Sequence, residues 1–269
     1  MIPSVDCTKV RLLGVDLFAL TMPEVLNICS DHIAKRRRLL IGVVNAAKIV
    51  NARRNPQLCA ALNQADIVLA DGASIVWLSK MMGKPLPERV AGIDVMFELL
   101  KEANRKSYGI YFLGARPAVV EEVVRVVRKD YPGVRVAGYR DGYFSEQEEQ
   151  RVAEDVKNSR ADILFVAISP PKKEIFLGKW LEFMNVPVCH GVGGSFDVVA
   201  GVAKRAPVWM QKCALEWLYR VIQEPRRMWK RYLVTNTIFI MLSIKAIASF
   251  HFNKLIAFII PSYCRKIRK

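Results

Sequence analysis

The chain has 269 residues, of which 52% are hydrophobic and 25% charged, which excludes a disordered chain and a collagen-like one. At this length roughly three-quarters of the unfolded surface is buried on folding, so neither disulfide nor metal is needed to complete a core. The net charge of +16 is uneven: residues 1–200 hold 27 basic and 23 acidic side chains, whereas residues 201–269 hold 14 basic ones against Glu216 and Glu224.

In chain order, short apolar runs alternate with longer amphipathic stretches. Leu39–Val44 reads as a strand, Pro56–Asn63 as a helix, Ile67–Ala70 as a strand, and Ala73–Met82 and Ile93–Arg105 as helices. Ile110–Leu113 then reads as a strand, Pro117–Asp130 as a helix, Val134–Gly138 as a strand and Ser145–Ser159 as a helix. Ile163–Ile168, Lys172–Phe183 and Val186–Cys189 complete the series as strand, helix and strand. Such alternation predicts an α/β, Rossmann-like parallel sheet with helices on both faces. Pro117 suits a first helical position, and Ser145 with Glu148 makes a capping box.

The texture changes near Arg205, giving an expected catalytic domain over 1–205 and a helical, basic appendage over 206–269. Pro225 is expected to end one helix and begin another. The longest apolar piece, Leu233–Ile244, contains Asn236 and stops at Lys245. That is short of the about 20 apolar residues of a spanning helix. Cationic, aromatic and intermittently apolar, the segment reads as lying in the interface of an anionic membrane, helped by the terminal RKIRK. A docked core helix or a dimer contact is the alternative.

The six cysteines form no CxxC and the three histidines are scattered, so no zinc site is expected. Charged residues interrupt the N-terminal apolar run, unlike a signal peptide. Free thiols in a reducing cytoplasm are the expectation.

Ligands of open parallel sheets bind beyond the carboxyl ends of the strands. Those ends carry Asn45, Asp71-Gly72, Gly114, the Ser169–Glu174 segment with Lys173, and His190 followed by Gly191, Gly193, Gly194 and Asp197. Asp71 is placed to accept a proton from an incoming hydroxyl, or else to cap the following helix. The glycines at 191, 193 and 194 could cradle a phosphate or simply make a tight turn. Arg220, Arg226, Arg227, Lys230 and Arg231 could hold a diphosphate through paired hydrogen bonds, or form a solvated charge run. Cys189 and His190 point to opposite faces of a strand and read as structural.

With these residues in view, the chain resembles the WecG/TagA/CpsF glycosyltransferases. The resemblance runs from Asn45 through LADG (69–72), PLPERVAGID (85–94), FLGARP (112–117), YPGVRVAGYRDGYF (131–144), SPPKKE (169–174), GVGGSFDVVAG (191–201), RAP (205–207) and EWLYR (216–220) to EPRRMWKRY (224–232). It implies an inverting transferase needing no metal or other cofactor. The implied donor is a UDP-sugar such as UDP-N-acetylmannosamine or UDP-glucose, and the acceptor a sugar on a polyprenyl diphosphate. By the same resemblance Asp71 is the base, and Asn45, Arg89, Lys173 and Glu174 line the acceptor side. Gly114, the glycine turn with Asp197, and Arg220, Arg227 and Arg231 serve the nucleotide diphosphate. Val43 stands where relatives often carry Thr, and Lys173 where many carry Gln; the resemblance leans toward exopolysaccharide members, whose donors can be glucose or other hexoses. The implied place is the cytoplasmic face of the membrane, peripherally attached, with a homo-oligomer left open.

Two other readings use the same residues. A nucleic-acid-binding protein fits the sequence pI of about 9.8, although the basic block is interleaved with apolar runs and contains no recognised nucleic-acid module. A non-catalytic scaffold of an envelope-polymer complex would use the membrane segment and leave Asp71 dispensable.

Overall fold

The structure, a computed structural model, describes residues 8–169 and 172–267. Pro170 and Pro171 of the SPPKKE segment and the last two residues of RKIRK lie outside the described residues.

A hairpin of β1 (Lys9–Leu12) and β2 (Val15–Phe18) opens the chain, followed by α1 (Met22–Ala34). Thr21 and Glu24 close a capping box at the start of α1, the Thr21 amide donating to Glu24 Oε2 at 2.7 Å. The Rossmann-like unit follows: β3 (Leu39–Val44), α2 (Ala46–Ala52), α3 (Pro56–Gln64), β4 (Ile67–Ala70), α4 (Ala73–Met81) and α5 (Gly92–Lys106). Then come β5 (Gly109–Gly114), α6 (Pro117–Asp130), β6 (Arg135–Arg140), α7 (Glu149–Asn158), β7 (Ile163–Ala167), α8 (Lys172–Met184), β8 (Val188–Gly191) and α9 (Ser195–Val199). Ser145 and Glu148 make the expected capping box, heading a 3-10 turn that runs into α7.

Six strands form one sheet in the order β4-β3-β8-β7-β5-β6, every neighbouring pair parallel. Strands β4 and β5 are buried along their whole length, as their unbroken apolar runs require when both faces are covered. One apolar cluster, including Leu99, Val123 and Phe196, packs helices α1, α5, α6 and α9 on one face. A second, including Val152, Phe176 and Leu181, packs α7 and α8 on the other. The chain leaves β3 toward β4 but leaves β5 toward β6, on the opposite side. Between these divergent crossovers the carboxyl ends of the central strands are left open to a ligand.

The C-terminal quarter is helical: α10 (Val208–Lys212), α11 (Glu216–Gln223) and α12 (Pro225–Ile267), with Pro225 at the break as expected. Helix α12 is not an independent tail. Met228, Thr235 and Phe239 are buried, and Phe239 joins Val50, Ile75 and Leu78 in a third apolar cluster beneath α2 and α4.

One expectation is corrected. The apolar run Leu233–Ile244 is expected to be too short to span, but α12 carries a continuous 25-residue stretch, Met228–Phe252, of mean hydropathy 1.7. By length and composition that suffices to cross a bilayer. Asn236 and Lys245 interrupt the apolar sequence without interrupting the helix.

Candidate active site

The segment 89–92 is strapped across the end of β4. The Val90 amide donates to Ala70 O at 2.9 Å, and the Gly92 amide donates to Asp71 Oδ1 at 3.2 Å. Asp71 therefore does not cap α4; Gly72 occupies that position with no side chain to offer. Gly92 is held from its other side by His190, whose ring Nε2 lies 2.9 Å from Gly92 O. Burial keeps the His190 ring below its ordinary pKa, against the pull of Gly92 O and of Ile41 O, which lies 3.4 Å from Nδ1; the shorter contact is the Nε2–H donation to Gly92 O.

Asn45 accepts from the Lys48 amide at 3.0 Å and so caps α2, a conformation that sets its Cβ beside Gly72. Arg89 lies mostly buried, 3.2 Å from Glu216 and 3.3 Å from Asp94, which also pairs with Arg205 at 2.7 Å. Burial, followed by the negative charge of Asp71, raises the pKa of Glu216, while Arg89 opposes that shift.

Two cavities meet at these residues. The first, about 180 Å³, lies between the turn after β8 and helix α11. Its walls include Gly191, Gly194, Asp197, Arg205 and Tyr219. Gly193, inside that turn, has φ +54, a conformation that favours glycine. The second, about 860 Å³, runs between α4 and α12, with Asn45, Arg89, Trp77 and Ile240 among its lining. Asp71, Glu216 and Arg220 line both. Arg220 is exposed, with no carboxylate partner among the described residues.

The remaining expected residues lie elsewhere. Lys173 and Glu174 are buried at the start of α8, 3.2 Å apart, with Lys173 lying over Gly191. They border a small cavity of about 40 Å³ that adjoins the first through Val43 and Gly191. Gly114 ends β5, where a side chain would strike Ala167, and lines none of the three cavities. Arg231 is exposed against the Tyr232 ring and lines none either. Arg227 lies on α12, but its side chain is outside the described residues.

Three residues of the site escaped the sequence reading of roles. Glu216 is one of only two acidic side chains in the cationic quarter, a signal in itself. Arg205 sits where the texture changes and pairs with Asp94. Lys48, one helical turn after Asn45, borders the small cavity, and its ammonium donates to Val43 O at 3.1 Å. Burial, followed by the charge of Lys173, lowers its pKa to about 8.

The chain is similar to known proteins along most of its length. The sequence profile of the glycosyl transferase WecG/TagA/CpsF family matches residues 10–251. An N-acetylglucosaminyldiphosphoundecaprenol N-acetyl-beta-D-mannosaminyltransferase of Bacillus spizizenii is 42% identical over 209 residues, covering 78% of this chain and 80% of that protein. Proteins of the same description from Bacillus subtilis and Staphylococcus aureus are 37% and 33% identical, covering 75% and 84% of this chain and 78% and 87% of their own lengths. With the profile spanning both the sheet and the helices that close the two cavities, the chain belongs to the WecG/TagA/CpsF family of glycosyltransferases.

Proposed function

We propose that the protein is an inverting glycosyltransferase that moves a hexose or N-acetylhexosamine from a UDP-sugar to a sugar carried on a polyprenyl diphosphate. The observation that carries this reading is the sharing of Asp71, Glu216 and Arg220 by the two cavities. The smaller cavity, with its glycine turn and arginines, suits a nucleotide diphosphate. The larger one suits an acceptor with an apolar body. The named activity of the relatives, on an N-acetylglucosaminyl diphosphoundecaprenol, supports an acceptor of that class.

In this reading the acceptor hydroxyl enters from the side of the larger cavity and attacks the anomeric carbon. Asp71 takes its proton as the bond to the UDP oxygen breaks on the other side, which inverts the centre. The Gly92 amide fixes one carboxylate oxygen of Asp71, leaving Oδ2 for the acceptor. Charge building on the departing diphosphate meets Arg220, with Arg227 as a second cation from the same appendage. Cationic side chains thus take the part a metal plays in other transferases.

The same appendage would hold the protein on the cytoplasmic face of the membrane. We favour α12 lying along the surface. Its N-terminal half packs on α2 and α4, and a crossing orientation would pull Phe239 out of the cluster it fills and Met228 out of its buried position. Supplying a panel of UDP-sugars with a polyprenyl-diphosphate-linked N-acetylglucosamine and measuring UDP release tests the proposal. Release that requires both substrates and is lost in Asp71→Asn is the expected result; release indifferent to the acceptor overturns it.

A further inference from the structure

Helix α12 presents apolar side chains in two directions. Leu233, Ile240 and Ile244, spaced seven and four apart and so sharing a face, line the groove between α12 and α4. Val234, Met241 and Phe252 are exposed and lie outside it. A membrane surface accounts for the second set. The first set faces a concavity walled on its other side by the protein itself, through Trp77 and Met81 of α4. Trp77, Met81, Leu233, Ile240 and Ile244 are each 50–63% exposed, a density of large apolar side chains that marks a binding surface. The volume of about 860 Å³ is that of a small-molecule site.

The groove is also graded. At its inner end stand Asn45, Asp71 and Arg220; beyond them the lining along α4 and α12 is mostly apolar, with Ser74, Asn236, Thr237 and Ser243 set among the large apolar side chains. A lipid-linked acceptor has the same order: a sugar whose hydroxyl must reach Asp71, a diphosphate, then hydrocarbon. We infer that this groove seats the first isoprene units of the acceptor's polyprenyl chain, so that the tail contributes to recognition directly as well as through the bilayer. The inference rests on the acceptor class proposed above.

The test uses full-length protein and two soluble ligands without detergent: N-acetylglucosamine diphosphate esterified with a farnesyl tail, and the same diphosphate with a methyl ester. Binding is followed by the fluorescence of Trp77, Trp217 and Trp229, all in the groove wall. The farnesyl ester is expected to bind at least about ten-fold tighter, from burial of its hydrocarbon. Met81→Ser and Ile240→Ser, both at exposed positions that the fold tolerates, are each expected to remove most of that advantage, whereas Met241→Ser keeps it. Equal affinity for the two esters, or an advantage untouched by either groove variant, overturns the inference. So does a groove variant that loses only anionic-vesicle binding, which would assign the wall to bilayer lipid, or only a dimer, which would assign it to a second copy. Sugar transfer to both esters with equal KM would leave the acceptor class standing while removing the groove; transfer to neither with any UDP-sugar would remove both.

Discussion

The Arg89 guanidinium lies 3.2 Å from the Glu216 carboxylate, bridging the segment that straps β4 to the helix that roofs the smaller cavity. The two partners are not equivalent. Glu216 is costly to ionise where it stands, because burial and the charge of Asp71 both raise its pKa. Its folded pKa exceeds the unfolded value of about 4.3, so its contribution favours folding below that value and is lost as pH rises through the folded pKa. Glu216→Gln is therefore expected to leave the melting temperature at pH 7 unchanged or raised, with the difference from the parent shrinking as pH falls toward 4. Arg89→Met leaves Glu216 and Asp94 without their shared cation and is expected to cost about 1–3 kcal/mol, discounted for partial exposure. Thermal melts of both variants at pH 7 and pH 4.5 check this; equal destabilisation by the two would refute it.

Asp71→Asn keeps the oxygen that accepts from Gly92 and removes the proton acceptor. The fold and UDP affinity should stay near parental while transfer falls by about 10²–10⁴, the usual worth of a general base. Calorimetric UDP titration beside a turnover assay separates the two quantities. Turnover within a few-fold of the parent would remove Asp71 as base.

His190 touches neither larger cavity but holds the peptide that holds Asp71. His190→Phe preserves much of the buried volume and loses the donor to Gly92 O. We expect a stability loss of about 0.5–1.5 kcal/mol from the lost hydrogen bond, because α5 itself still engages the Gly92 carbonyl. We also expect a kcat lowered more than the KM of either substrate, since only the base is displaced. A variant whose KM values rise while kcat holds would show that His190 acts through the binding surfaces instead.

The central strands were legible because a buried parallel strand must be apolar throughout, and runs such as Leu39–Val44 and Ile67–Ala70 match their strands residue for residue; of the crossover helices only the short α2 has no counterpart in the sequence analysis. The β1–β2 hairpin was not read. Its turn places Leu13 at φ 50 beside Gly14 at φ 90, and a leucine in the left-handed region announces no turn. The sequence analysis assigns no element to α1 either, although Thr21, Pro23 and Glu24 mark its start. At the site, Asp71, Asn45 and the glycine turn were visible because strand ends in this architecture are where ligands bind. The pairings Arg89–Glu216 and Asp94–Arg205 were not visible, since tertiary packing alone brings those segments together. Family membership also decides against the nucleic-acid and scaffold readings, which used the same charges without an enzyme.

Where the chain is cut should separate membrane attachment from catalysis. Removal of everything after Arg205 takes away Glu216, Tyr219 and Arg220 from the smaller cavity and uncovers the apolar surface beneath Phe239. Such a protein is expected to be inactive even on a soluble acceptor, and poorly soluble. Truncation after Phe252 keeps both cavities whole and removes Lys254, Arg265, Lys266, Arg268 and Lys269 with no acidic residue. Each basic residue near an anionic surface contributes about 1 kcal/mol at most, so vesicle affinity should fall by orders of magnitude and become less sensitive to salt. Turnover of a short-tailed soluble acceptor should meanwhile stay within a few-fold of the full chain. Co-sedimentation with anionic vesicles and a detergent-free assay measure the two separately. Activity lost in proportion to vesicle binding, with the soluble acceptor, would mean that the distal part of α12 shapes the site itself.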